Sequence, residues 1–61
     1  MELLASACRD GTCPTVYLTD RGSLVVQGYE VESEELPSGE RRVEVPASLL
    51  VEAVAAYERS R

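Results

Sequence analysis

The chain has 61 residues, 11 acidic and six basic, for a net charge of −5, with no histidine, no tryptophan and two cysteines. A chain this short is expected to form one domain over residues 1–61 and to bury only about 60% of the surface its unfolded form exposes, so it needs a staple or a partner to hold a fold. All the basic residues are Arg, and the acidic balance argues against phosphate-backbone binding through clustered cations. It disfavours anionic membranes too, no apolar run reaches the ~18 residues that span a bilayer, and the field favours a basic partner.

The first residues, "MELLASAC", have Glu2 and no positive start, so they do not read as a secretory signal. Residues 1–12 are taken as an irregular or helical N-terminal arm, and the protein as cytoplasmic, where thiols stay reduced. Cys8 and Cys13 are four residues apart, a spacing compatible with a small ring. Metal binding lacks ligands, because a structural zinc site takes four and this chain has no His and only these two Cys. The usual redox signature is C-x-x-C, not this spacing. Cys8 and Cys13 are therefore expected to pack as ordinary thiols, with a redox pair as the rival reading.

"PTVYLT" at residues 14–19 is rich in β-branched and aromatic residues and is followed by "DRG" and "SLVVQGYEVE". Three loop residues ending in Gly predict a hairpin turn at Asp20, Arg21 and Gly22. The register then pairs Thr19 with Ser23, Leu18 with Leu24, Tyr17 with Val25 and Val16 with Val26. Alternation places Val16, Leu18, Leu24 and Val26 on one face. The second strand is expected to run over 23–32, with a bulge at Gln27 and Gly28 that returns Tyr29 and Val31 to the core side and leaves Glu30 and Glu32 in water. The alternative is that Gly28 ends the strand.

"SEELPSGE", residues 33–40, reads as an acidic loop. A third strand over 40–45 alternates Val43 and Val45 with Arg42 and Glu44, and Pro46 closes it. From Ala47 to about residue 59, Leu49, Leu50, Ala53, Val54 and Tyr57 form one apolar helical stripe. Arg59 and Arg61 suit the negative pole of that helix. The expected fold is α+β: a three-stranded antiparallel sheet with one C-terminal helix packed on one face.

Catalysis is not expected, since there is no His base, no Gly-rich phosphate loop and no nucleophile with an activating partner. No catalytic, cofactor-binding or metal-binding residue is assigned. Instead, if the helix covers the Val16 face, Tyr17 and Val25 form an apolar pair on the other one, a small contact patch unless Leu3 and Leu4 fold over it. Val51 is a weaker contact candidate. Glu30, Glu32 and Glu34 supply an acidic surface for a basic protein, against the plainer reading of a solvated strand and loop.

The segments "GTCPTVYLT", "SLVVQG" and "RRVEVPASLLVEAVAAY" follow in an order that resembles the small acidic actinobacterial proteins encoded beside helix-turn-helix transcriptional regulators, over most of residues 11–57. The likeness is architectural: where that family carries an Arg-Asp-Ser-type stretch and a helix Trp, this chain has "VQGYEVE" and no Trp. The resemblance implies an accessory partner or antagonist of a regulator, with no catalytic residues to carry over. The leading expectation is thus a non-enzymatic protein–protein interaction module without cofactor, homodimeric or bound to a basic DNA-binding regulator. The alternatives are a thiol redox or metal module at Cys8 and Cys13, and a DNA-binding antitoxin-like protein, which the net charge disfavours.

Overall fold

Asp20, Arg21 and Gly22 form the turn the sequence predicts. Gly22 donates its N–H to Thr19 O at 3.2 Å, and Thr19 donates to Ser23 O at 2.8 Å. Gly22 sits at φ +83°, the left-handed conformation that closes a three-residue hairpin and that glycine adopts without strain. The buried Thr19 hydroxyl organises the turn: it accepts the N–H groups of Arg21 at 3.2 Å and Ser23 at 3.1 Å and lies 2.8 Å from the Ser23 hydroxyl.

The computed structural model describes residues 1–8, 13–32 and 35–60. Its elements are β1 (Glu2–Ser6), β2 (Thr15–Leu18), β3 (Leu24–Gln27), β4 (Tyr29–Val31), β5 (Arg42–Glu44) and α1 (Ala47–Ser60). The β2–β3 register is the expected one, with Val16 opposite Val26, Tyr17 opposite Val25 and Leu18 opposite Leu24. The three-stranded sheet has the order β1-β2-β3, all antiparallel, and α1 lies on β1 and β2. A three-stranded antiparallel sheet under one C-terminal helix is therefore the fold, as the sequence predicts.

The strands that build it differ from the expected set in two ways. First, residues 2–6 of the N-terminal arm are neither irregular nor helical but form β1, beside β2. The register shifts between Leu3, which pairs with Tyr17, and Ala5, which pairs with Val16. Leu4 is the extra residue of a bulge, and both Leu4 and Ala5 pack into the core under the helix. The arm's residues 9–12 lie outside the described residues, as do residues 33–34 of the acidic loop and Arg61.

Second, the expected strand over 23–32 is two strands in two sheets. β3 ends at Gln27, and β4 pairs instead with β5, with Tyr29 opposite Glu44, Glu30 opposite Val43 and Val31 opposite Arg42. The reason lies at Gly28. A Cβ there would stand 2.6 Å from Glu44 O and 2.7 Å from Val45 Cγ1, so the two chain segments approach too closely for any side chain. Gly28 ends the strand, and the bulge that was to return Tyr29 and Val31 to the core does not form. Tyr29 is 67% exposed, and Val31 and Val43 are exposed as well.

The core is small: Ala5, Val16, Leu49 and Ala53, with Leu4 and Val45 packed against them. Along α1, Leu49 and Ala53 are buried and Ala56 and Tyr57 half-buried, one stripe at helical spacing facing the sheet. Arg59 lies in the last turn, where its charge complements the helix's negative end. Leu50 and Val54, expected within the stripe, fall on its flank and stay exposed. Removing Leu49, 3% exposed, empties core volume, whereas Leu50, 44% exposed, is still largely in water. Leu49→Ala is expected to cost about 2–5 kcal/mol, and Leu50→Ala well under half as much, read from urea denaturation midpoints. Equal losses would contradict this helix orientation.

Candidate interaction surface

Register sorts the sheet's side chains into two faces. Ala5, Val16 and Val26 share a row on the helix side, and Leu18 and Leu24 follow on the same face. On the opposite, open face, Leu3, Tyr17 and Val25 form a row across all three strands. Tyr17 and Val25 are thus the cross-strand pair the sequence predicts, Tyr17 half-buried and Val25 exposed. Residues 2–6 do not fold over them but pair beside β2. Leu3 lies beside Tyr17 and lengthens the apolar row, while Leu4 goes to the other face.

A second row on the open face is polar. Ser6, Thr15 and Gln27 stand opposite one another on β1, β2 and β3. Thr15 is fully buried, and its hydroxyl donates to Cys13 O at 2.7 Å and lies 3.1 Å from the Ser6 hydroxyl. Gln27 Nε2 donates to the same Cys13 carbonyl at 3.0 Å, and Cys8 N–H donates to Ser6 Oγ at 3.3 Å. Each strand therefore contributes one side chain that holds the cysteine corner.

In that corner Cys8 and Cys13 are joined in a disulfide, with their Cα atoms 5.4 Å apart. This corrects the expectation of separately packed thiols. The physical reason is the β1–β2 pairing, unforeseen in the sequence reading: it brings Ala7 N–H to Pro14 O at 2.9 Å and so sets the flanking cysteines within bonding reach. No three potential ligating side chains cluster as a metal site among the described residues.

The acidic candidates lie on the other hairpin. Glu30 and Glu32 line a groove of about 390 Å³ together with Glu35, Glu40 and Arg41. Glu30 pairs with Arg41 at 3.6 Å, both largely exposed, an arrangement that adds little stability. Glu34 lies outside the described residues. The structure thus brings Tyr17 to Val25 and Glu30 to Glu32 but sets the two groups on different sheets.

What the sequence reading missed is the exposure of β3. The helix covers β1 and β2, so Leu24 and Val26, on its side of the sheet, remain 49% and 37% exposed, and Val25 on the other side is 39% exposed. β3 is also the end of its sheet: among the described residues no further strand pairs with it beyond β2. The expectation that the helix would cover Leu24 and Val26 is corrected: the sheet's second edge is taken by β1, and the helix follows it. One available signal was the run "LVVQ", apolar at three successive positions instead of alternating.

No helix among the described residues is long and apolar enough to cross a membrane. No family model, curated protein or solved structure matches the chain. Since Cys13 O takes its hydrogen bonds on the backbone, the corner does not rest on the disulfide alone. The double variant Cys8→Ser/Cys13→Ser is expected to lose about 2 kcal/mol, the value of so small a closed loop, and to keep its circular dichroism spectrum. Loss of the sheet signal would contradict this.

Proposed function

We propose that this protein is a non-enzymatic interaction module that acts in the cytoplasm as an accessory partner or antagonist of a basic transcriptional regulator. The observation that carries the reading is the balance of apolar side chains. Among the described residues four hydrophobic ones are buried, whereas Leu3, Leu24, Val25, Val26, Tyr29, Val51 and others of similar size face solvent. Isolated exposed apolar residues are ordinary, but continuous rows of them on a strand are the mark of a contact surface.

The open-face row of Leu3, Tyr17 and Val25 supplies apolar contacts, and the groove carboxylates Glu30 and Glu32, with Glu34 following in the sequence, supply charges that draw in an Arg-rich or Lys-rich partner. The net charge of −5 supports a basic partner over nucleic acid. The cysteine corner is held by the hydrogen bonds of Ser6, Thr15 and Gln27 as well as by its disulfide. The resemblance in motif order to small acidic proteins encoded beside regulators gives the reading its direction.

Tagged protein recovered from cells that express it tests this. A basic DNA-binding protein is expected to co-purify, to be released as salt rises, and to be lost with Tyr17→Ala or with Glu30→Lys/Glu32→Lys. Recovery of no such protein, or recovery that these variants leave unchanged, would contradict the reading.

A further inference from the structure

We infer that β3 is the seat of self-association: two copies of the chain join their β3 edges antiparallel, about a two-fold axis at Val25, into one six-stranded sheet. The inference rests on the interaction-module reading above and names one occupant of its surface, a second copy.

The backbone decides which groups are free to pair. Thr19 N–H bonds to Ser23 O, so Ser23 turns its backbone toward β2. Direction alternates along a strand, hence Val25 also faces β2, and the N–H and C=O groups of Leu24 and Val26 point to the unpaired side. A two-fold axis through the Val25 pair sets Leu24 of each copy opposite Val26 of the other, and these are the residues with outward donors and acceptors. Val25 meets the partner's Val25 as the closely spaced, non-hydrogen-bonded pair.

The side chains agree with that register. On the helix side, Leu24 and Val26 of both copies meet as one apolar cluster. On the open face, the row Leu3, Tyr17, Val25 continues into Val25, Tyr17, Leu3 of the second copy. Shifting the axis to Val26 would set Val25 against Gln27 and break that row.

Charge and edge chemistry single out this strand. Leu24–Gln27 has no charge, no proline and no bulge, the devices by which an exposed edge normally avoids pairing. β1, the opposite edge, has Glu2 and the Leu4 bulge, and β4 and β5 carry Glu30, Arg42 and Glu44. Although the whole chain is acidic, Leu24–Gln27 itself carries no carboxylate, so the paired strands do not set like charges against each other. The area sets the strength: an edge of four residues buries on the order of several hundred Å² in all, below the roughly 1,200 Å² of a standard stable interface. The dimer is therefore a reversible one that dissociates on dilution and leaves the edge free for exchange.

Sedimentation of the full-length chain from low micromolar to millimolar concentration tests the inference. The mass is expected to rise from one chain to two. Val26→Pro removes an outward N–H without touching the β2–β3 bonds, which edge strands tolerate, and is expected to hold the chain at one copy with its circular dichroism unchanged. Val25→Lys sets like charges across the axis and is expected to weaken association at least tenfold, a second variant should the proline perturb folding. Val51→Lys, on the 70% exposed helix flank, is expected to dimerise as the parent does. A chain that is single at every concentration, or a dimer that Val25→Lys leaves intact and Val51→Lys destroys, would overturn the inference. A single chain that still captures a basic regulator overturns the dimer alone, and a β3 dimer that captures none upholds it while removing the regulator reading.

Discussion

The fold depends on β2 being paired along both edges and, at Thr15 and Val16, buried on both faces. Thr15 and Val16 are fully buried at adjacent positions and so point to opposite faces of the strand. Val16 meets Leu49 and Ala53 of the helix, and Thr15 is held through its hydroxyl to Ser6 and Cys13. Two adjacent residues of β2 thus tie together the N-terminal strand, the hairpin, the cysteine corner and the helix. In a chain this small no second core can take over if that arrangement loosens.

A single covered strand leaves its neighbour on one side under-protected. The helix follows β1, whose bulge sends both Leu4 and Ala5 beneath it, and Leu24, Val25 and Val26 of β3 are left exposed. Gly28 then removes the chain from that sheet into the β4–β5 hairpin, which carries the acidic groove. Apolar and acidic surfaces are consequently separated onto different sheets. An uncharged edge suits association of like chains, and the separate acidic hairpin remains available to a basic partner.

The turn was legible because three loop residues ending in glycine allow few geometries, and from it the whole β2–β3 register and the Tyr17–Val25 pair followed. The helix was legible from its stripe, though Leu50 and Val54 belong to the flank because the sheet below is narrow. β1 was not legible. "ELLAS" alternates imperfectly, and its one-residue bulge hides the period that marks a strand. The disulfide and the exposure of β3 both depend on β1, so they were lost with it. The break at Gly28 was misread because a glycine in a strand signals a bulge, an end or a close approach alike, and only the position of Glu44 O distinguishes them. The acidic candidates were legible as charge, but their separation from Tyr17 was not, since it follows from that same break.

Amide hydrogen exchange at each backbone position of β3 reads directly whether its outer edge pairs with a second copy. The Leu24 and Val26 amides should exchange rapidly in dilute protein and gain protection as concentration rises, while the Val25 amide, bonded to β2, is protected throughout. Protection that appears instead along the outer flank of α1 or on β4–β5, with Leu24 and Val26 unchanged at every concentration, would contradict that pairing.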